Sequence, residues 1–324
     1  MTLQKIGNGI FMQDTIRDKI KQIDAIIFDC DGVLIDITKS YDLAIKQVVR
    51  YFLKEFGIDN SLSITTDIIE SFKSTGGFND EVDITYASIL SLTAANRMKK
   101  SEKKFLFDVI SNANQTGIQS IEKYLATLPV DISDIIKKLD YPGPHDTNLL
   151  YSVFDQIFYG PELYYKLYKK KSQFTGQGFI ENDVKLLKID LIKQLKKKFN
   201  NKLAIVTGRG KESTRYTLGN LLDEFDITNS VFLEDESRDL AKPNPESLIR
   251  SIGGLRSSNC LYVGDSMEDY IMATKAKEMD YNTIFCAIFG TSKFPESKKS
   301  FFVQKHTPMI LQSIDLLPKA LNLV

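Results

Sequence analysis

The sequence contains five short apolar runs that are typical of strands buried within a parallel sheet. Helical patterns separate these runs from the second one onward. For example, apolar residues recur at helical spacing from Val184 through Leu191 to Phe199, which predicts one helix leading into the second run. This alternation predicts an α/β fold built on a doubly wound parallel sheet. The predicted strands cover residues 25–28, 203–206, 230–233, 260–263 and 283–288.

The first and second runs are unusually far apart. About 170 residues separate them, whereas a crossover between parallel strands needs only a dozen or so. Residues 39–171 contain helical patterns and no convincing strand. We therefore expect an all-helical domain, residues 37–177, inserted into a sheet domain formed by residues 1–36 and 178–324. The connecting segments, 34–38 and 173–178, could act as a hinge. The clearest helical patterns cover residues 41–56, 81–98, 102–113 and 147–158.

Composition and charge exclude several classes of protein. Apolar residues make up 43% of the chain and charged residues 26%, a balance typical of soluble globular proteins. Lys plus Arg and Asp plus Glu both total 42, so no overall field attracts nucleic acid or anionic membranes. No apolar run approaches the ~18 residues of a membrane span, and the three cysteines lack metal-site spacing. We expect a cytoplasmic protein with neither nucleic-acid nor membrane partners.

Two carboxylates follow the first predicted strand, in the segment Asp29-Cys30-Asp31-Gly32. The carboxyl ends of parallel strands open into the ligand crevice of such a sheet. Two carboxylates next to a buried strand are costly unless a cation or a reaction uses them. The alternative is an ordinary acidic turn in which Gly32 supplies an unusual dihedral angle. The side chain of Cys30 should point the other way along the strand and serve in packing.

Polar groups also follow the later strands. Thr207 and Gly208 end the second strand and could bind phosphate oxygens through a hydroxyl and backbone amides. Lys242 follows the third strand, and Asp265 and Asp269 follow the fourth. Taken alone, each group is consistent with an ordinary structural role: turn chemistry, a solvated lysine, or the N-cap of a helix. Their shared position at strand ends favours one common site.

Together the four motifs resemble those of the haloacid dehalogenase superfamily of phosphotransferases: DxDG(V/T), a strand ending in Thr or Ser, a Lys, and GDxxxD. The resemblance covers roughly residues 20–35 and 180–290. It is strongest to members with a helical cap of the first class between motifs one and two, such as phosphoglycolate phosphatases and β-phosphoglucomutases. The insert here looks longer than their usual compact cap.

The resemblance implies a role for each motif residue. Asp29 would attack phosphorus and form an aspartyl-phosphate intermediate. Asp31 would protonate the leaving alkoxide and later deprotonate the hydrolytic water. The implied cofactor is Mg²⁺, with the Asp29 carboxylate, the Asp31 main-chain carbonyl and the Asp265 carboxylate as ligands. The remaining implied roles are phosphate binding by Thr207, Gly208 and Lys242, and orientation of Lys242 or a metal-bound water by Asp269.

Candidate substrate contacts lie outside the four motifs. Arg209 could meet the leaving group or a second anionic group, or form a surface salt bridge. Phe78 and Asn79 lie in a glycine-containing break, residues 74–80, that could be a cap loop reading the leaving group. The same segment could equally be a plain helix-to-helix connection.

The function expected from the sequence is hydrolysis of a small phosphorylated metabolite. A phosphomutase acting on a phosphosugar would use the same residues, while a dehalogenase would not need Asp31. A phosphoacceptor signalling module also uses an Asp, a Thr or Ser and a Lys, but such modules are small and uncapped. The sequence leaves the oligomeric state open.

Overall fold

The computed structural model describes residues 3–58, 62–78, 80–144 and 147–323. They form two compact units. We call the part before Lys39 together with the part from Asp183 onward the core unit, and Lys39–Asn182 the helical unit. The second boundary lies five residues beyond the expected one, 177/178. The reason is close packing within the helical unit, because a Cβ on Gly178 would lie only 2.5 Å from the amide nitrogen of Gly160.

An eight-stranded sheet forms the centre of the core unit, in the order β1-β2-β10-β9-β8-β3-β6-β7. The six neighbouring strands β10, β9, β8, β3, β6 and β7 all pair in parallel. Strand β2 pairs antiparallel with both β1 and β10. A separate antiparallel pair joins β4 to β5. The strands are β1 (Leu3–Gly7), β2 (Ile10–Gln13), β3 (Ala25–Phe28), β4 (Ile35–Asp36), β5 (Val184–Lys185), β6 (Leu203–Thr207), β7 (Val231–Phe232), β8 (Cys260–Gly264), β9 (Thr283–Ile288) and β10 (Met309–Leu311).

Helices cover both faces of this sheet. Ile26 and Phe28 of β3 pack into one apolar cluster, while Ala25 and Ile27 pack into another. Because alternate residues of a strand face opposite sides, both faces of β3 are buried. The doubly wound α/β fold predicted from the sequence is confirmed. The helices of this unit are α1 (Arg17–Ile20), α9 (Ile189–Lys198), α10 (Lys211–Leu218), α11 (Glu246–Gly254), α12 (Met267–Glu278), α13 (Pro295–Gln304) and α14 (Leu317–Ala320).

All five predicted strands are present, but the sequence missed the additional ones. Strand β1 is largely exposed, and β10 has only three residues, so neither gives a clear apolar pattern. The helix predicted over residues 184–199 was wrong at its start, because it begins at Ile189. The two residues of β5 pair with β4 instead, with Val184 opposite Asp36.

The helical unit packs around α4, whose residues from Val82 to Ala95 are all buried. Helix α8 is interrupted at Gly160, where a positive φ precedes Pro161. Among the residues described in both units, none of the helices is both long and apolar enough to cross a membrane. The helices of this unit are α2 (Tyr41–Glu55), α3 (Thr66–Lys73), α4 (Glu81–Arg97), α5 (Glu102–Ser111), α6 (Ile118–Leu125), α7 (Ser133–Leu139) and α8 (Leu149–Tyr168).

Candidate active site

The candidate site lies at the carboxyl edge of the parallel sheet in the core unit. Strand β3 lies between β6 and β8, and Phe28 is in register with both Ile205 and Val263. All three strands run in the same direction, so the residues that follow them emerge at one edge. The sheet therefore brings the first, second and fourth motifs together.

Lys242 links the first motif to the fourth. Its Nζ lies 2.9 Å from Oδ1 of Asp29 and 2.7 Å from Oδ1 of Asp269. The Lys242 side chain is 1% exposed, and those of Asp29 and Asp269 are 9% and 0% exposed. Buried charges of this kind need partners of opposite sign. Lys242 is thus an integral part of the site and not a solvated surface charge.

Burial and neighbouring charges set the protonation behaviour of this group. Burial raises the pKa of Asp29 well above its usual value; the Lys242 ammonium opposes this increase, and the Asp269 carboxylate adds to it. Burial alone would also raise the pKa of Asp269, but Lys242 and hydrogen bonds from Tyr262 and Ser266 lower it to about 2. Asp269 is therefore the permanent anion beside Lys242, and Asp29 is the more readily protonated carboxylate.

Asp269 is fixed by bonds to both of its oxygens. The Tyr262 hydroxyl donates to Oδ1 at 2.6 Å. The backbone amides of Asp265 and Ser266 each donate to Oδ2 at 3.0 Å. The Ser266 hydroxyl accepts a bond from the Asp269 amide, which completes a capping box at the start of α12. Asp269 thus caps the helix and accepts a hydrogen bond from Lys242. Its expected role in orienting Lys242 or a metal-bound water stays a prediction.

Gly32 allows the first and fourth motifs to approach each other. It has a φ of +74°, and a Cβ at this position would overlap the Asp265 carboxylate. The Thr291 hydroxyl donates to the Gly32 carbonyl at 2.5 Å. Lys298 on α13 contacts Oδ2 of Asp265 through its amine. The segment after β9 therefore contributes two groups to this edge that the motifs did not predict.

The carboxylates at this edge are suited to a hard divalent cation. Carboxylate oxygens of Asp29, Asp265 and Asp269 lie within 4.8 Å of one another. Both oxygens of Asp269 already accept hydrogen bonds, so Asp29 and Asp265 are the two carboxylates of this group better placed to hold a cation. The contact from Lys298 indicates that Asp265 accepts a cationic partner. An all-oxygen donor set of this kind fits Mg²⁺.

Asp31 belongs to a second cluster of charges. Its Oδ1 lies 2.9 Å from Nη2 of Arg209, and the same nitrogen lies 2.8 Å from Oδ2 of Asp183. The Arg209 side chain is 0% exposed, and its Nη1 donates to the Thr217 hydroxyl at 3.1 Å. Arg209 therefore forms salt bridges, as one of our two expectations had it, but they are buried and not at the surface. Its side chain is enclosed by partners within the core unit, and contact with a substrate anion stays a prediction.

The two residues of the second motif, Thr207 and Gly208, differ in their exposure to solvent. Thr207 is fully buried, and its hydroxyl accepts a bond from the Arg209 amide at 3.3 Å. Gly208 is exposed at the tip of the turn. The Gly208 backbone can therefore approach a ligand freely, whereas the Thr207 hydroxyl lies deeper at the strand end. Phosphate binding by both residues remains a prediction.

Phe78 and Asn79 were the residues expected to contact substrate from a cap loop. Phe78 is 0% exposed and packs against Phe72 with ring centroids 5.0 Å apart. This burial in the core of the helical unit corrects the expectation that Phe78 contacts substrate. Asn79 lies outside the described residues.

Several members of the site escaped the sequence reasoning. Asp183 and Thr217 bind Arg209, Tyr262 binds Asp269, and Lys298 binds Asp265. These residues belong to no motif, and their bonds depend on chain segments that meet only in the folded sheet. For Asp183 there was one weak signal, an acidic residue directly before the short strand β5, which pairs with β4.

Comparisons with known proteins place this site in a family. A phosphatase, Tt82 from Thermococcus thioreducens, has a similar structure with a TM-score of 0.55 and 22% identity, covering 85% of this chain and 98% of its own. A protein from Bacteroides fragilis named as a haloacid dehalogenase-like hydrolase has a TM-score of 0.50 and 16% identity, covering 91% and 99%. These likenesses concern the fold. No curated protein sequence matches the chain. The family model for haloacid dehalogenase-like hydrolases matches residues 23–277, so the chain belongs to that family.

Proposed function

We propose that the protein is a Mg²⁺-dependent phosphatase that hydrolyses a small phosphorylated metabolite through an aspartyl-phosphate on Asp29. The observation that supports this most is the bonding of Lys242 to both Asp29 and Asp269 at distances of 2.9 and 2.7 Å. This arrangement fixes a carboxylate beside a cation at the edge of the sheet. It supplies a nucleophile together with the positive charge that phosphoryl transfer requires.

Asp29 serves as the nucleophile in this proposal. Its backbone amide donates a hydrogen bond to the Val263 carbonyl oxygen at 2.8 Å, and its Oδ1 accepts a hydrogen bond from the Cys30 amide at 2.7 Å. The oxygen is thereby held in a defined direction, which favours attack on a positioned phosphorus atom. Lys242 then stabilises the charge on the phosphoryl oxygens, supported by the Gly208 amide and the Thr207 hydroxyl.

Asp31 transfers the proton. It first protonates the leaving alkoxide and then takes a proton from the water that hydrolyses the aspartyl-phosphate. Its side chain is 22% exposed, so it is more accessible than that of Asp29 at 9%. An accessible carboxylate two residues after the nucleophile suits exchange with a leaving group and with water.

Asp29, Asp265 and the main-chain carbonyl of Asp31 are the ligands proposed for Mg²⁺. When bound there, the ion would neutralise phosphoryl charge that Lys242 alone leaves uncompensated. In this proposal Asp269 orients Lys242 through the contact between its Oδ1 and the Lys242 amine. The location we propose is cytoplasmic, because the three cysteines are free and buried, as suits a reducing compartment.

A screen of phosphorylated metabolites tests the proposal. Purified protein with Mg²⁺ should release inorganic phosphate from at least one small monoester, and chelation of the metal should stop the release. Asp29→Asn should lower turnover by at least about 10³-fold, because the nucleophile is lost. Full activity in this variant would contradict the proposal. Conversion of a phosphosugar into its isomer without free phosphate would show a phosphomutase instead.

The proton-transfer role of Asp31 has a separate test. Asp31→Asn should impair substrates with poor leaving groups by about 10²-fold or more, because only these need protonation. Nitrophenyl phosphate, which has a good leaving group, should lose much less. Equal losses for alkyl and nitrophenyl phosphates would exclude Asp31 as the general acid.

A further inference from the structure

The cluster around Arg209 joins three separate segments of the core unit. Arg209 follows β6, Thr217 lies on α10, and Asp183 directly precedes β5. Thr217 accepts a bond from Nη1 of Arg209 at 3.1 Å and donates one to Oδ2 of Asp183 at 3.3 Å. Asp183 in turn lies 2.8 Å from Nη2 of Arg209. The three side chains close a ring that fixes the guanidinium group in place.

The fixed guanidinium group also contacts Asp31. Nη2 of Arg209 forms an ion pair with Oδ1 of Asp31 at 2.9 Å, without hydrogen-bond geometry between the two atoms, and this oxygen is buried although the side chain as a whole is 22% exposed. The exposed part of Asp31 therefore lies away from Oδ1. Oδ1 of Asp31 therefore faces the guanidinium group on the interior side of the site.

Charge burial argues that this contact is specific. The side chains of Arg209 and Asp183 are 0% and 1% exposed, and enclosing such charges costs several kcal/mol unless their partners are well placed. The pairing of β4 with β5, with Asp36 opposite Val184, brings Asp183 close to the loop that contains Asp31. The backbone and the side chains thus act together to present one arginine to Asp31.

We propose that Arg209 is a positioning residue for Asp31, held in place by Asp183 and Thr217. Its positive charge pairs with Oδ1 at 2.9 Å and so orients the carboxyl group for proton transfer to the leaving oxygen. The proposal rests on the proposed phosphatase function and deepens it, since it explains how the acid is kept in one orientation. Arg209 itself touches neither the nucleophile nor the phosphoryl group in this account.

Leaving-group dependence distinguishes this role from a purely structural one. Arg209→Met should lower kcat for alkyl phosphates by about 10²-fold and for nitrophenyl phosphate by less than about tenfold. Arg209→Lys should retain more of the alkyl phosphate activity than Arg209→Met. Adding Arg209→Met to Asp31→Asn should reduce alkyl phosphate turnover by less than about threefold further, because both changes remove one function.

Two variants guard against a loss of folding. The double variant Arg209→Met/Asp183→Leu removes both buried charges and should show the same leaving-group pattern if the single variant fails to fold. The matched control is Arg250→Met, which removes an exposed arginine that pairs with Glu236 at 3.1 Å. This control should leave kcat for alkyl phosphates and for nitrophenyl phosphate unchanged.

The outcomes separate this inference from the proposed function. If wild-type protein releases no phosphate, or Asp29→Asn stays active, the proposed function fails. If the Asp31→Asn variant shows the leaving-group pattern but the Arg209 variants lose activity equally for both substrates, only the positioning role is overturned. A full additive loss in the Asp31→Asn/Arg209→Met variant would overturn it as well.

Discussion

The core unit and the helical unit bury their charges differently. Among the described residues, the two buried basic side chains are Arg209 and Lys242, and both belong to the core unit. In the helical unit, the buried carboxylate of Asp83 accepts a bond from the Tyr141 hydroxyl at 2.6 Å. The core unit thus buries positive charges beside its carboxylates, whereas the described residues of the helical unit include no buried basic side chain.

This difference shows where function can be inferred from side chains alone. A buried cation shared by two carboxylates is costly for stability, so its presence at strand ends favours a catalytic role. The helical unit buries mostly aromatic and aliphatic groups, including stacked rings of Tyr41 and Phe158 with centroids 4.2 Å apart. Such packing accounts for the stability of the unit and says little about a substrate.

The largest effect on stability should come from removing the buried lysine. Lys242→Met leaves Asp29 and Asp269 buried without their cation, so the free energy of unfolding should fall by about 3–5 kcal/mol. Urea denaturation measures the loss. Lys188→Met removes an amine that pairs with Asp315 at the surface, 2.6 Å away, and should cost less than about 1 kcal/mol. If both variants lost the same free energy of unfolding, the buried lysine would contribute no more to stability than an exposed one, which would contradict the prediction.

A glycine pair in the helical unit tests its packing. Gly77 lies against the backbone of Gly117, whose amide nitrogen would be 2.7 Å from an added Cβ. Gly77→Ala should therefore lower the free energy of unfolding by about 1–3 kcal/mol, as overpacking does. Gly176→Ala is the matched control, because no atom lies within 4 Å of an added Cβ there. If both variants were as stable as wild type, the packing at Gly77 would be less tight than described.

Phe78 separates a core role from a substrate role. Because its ring is buried against Phe72, Phe78→Leu keeps most of the volume and should cost about 1 kcal/mol of stability. The KM for the substrate found by the metabolite screen should stay unchanged. A several-fold rise in KM with no loss of stability would restore Phe78 as a substrate contact.

The smallest expected effect concerns Lys298. Its amine contacts Asp265, so under the proposed function the ammonium would compete with Mg²⁺ for this carboxylate. Lys298→Ala should tighten Mg²⁺ binding about threefold to tenfold, measured by calorimetry on the folded protein. The neighbouring Lys299 pairs with Glu296 instead, and Lys299→Ala should leave Mg²⁺ binding unchanged. Weaker binding in Lys298→Ala would show that the lysine supports the metal site.

The strands that are predictable from the sequence are those in which an apolar run ends at a polar turn. Strands β3 and β9 match their predicted limits, because a short, continuous apolar run between polar turns is typical of a buried parallel strand. The partners of Arg209 could not be predicted, since Asp183 and Thr217 reach it only through the pairing of β4 with β5 and the placement of α10. Local sequence contains no information on such long-range contacts.

In the helical unit, the sequence pattern did not predict which residues are buried. The glycine-containing break before α4 was interpreted as a cap loop or as a plain helix-to-helix connection, because glycines and polar residues are typical of loops. In the structure, however, Phe78 is enclosed and Gly77 packs against another backbone. Composition indicates where a chain can turn, but not whether the turn is covered by neighbouring segments.

The central claim is that Asp29 is the nucleophile, and trapping of the phosphorylated enzyme tests it most directly. Protein mixed with Mg²⁺ and a radiolabelled substrate from the screen should be quenched in acid and digested, and the labelled peptide should be sequenced. We expect the label on Asp29, with none in Asp29→Asn and with magnesium-dependent beryllium fluoride binding lost in the same variant. Label on another residue, or undiminished labelling of Asp29→Asn, would contradict the account.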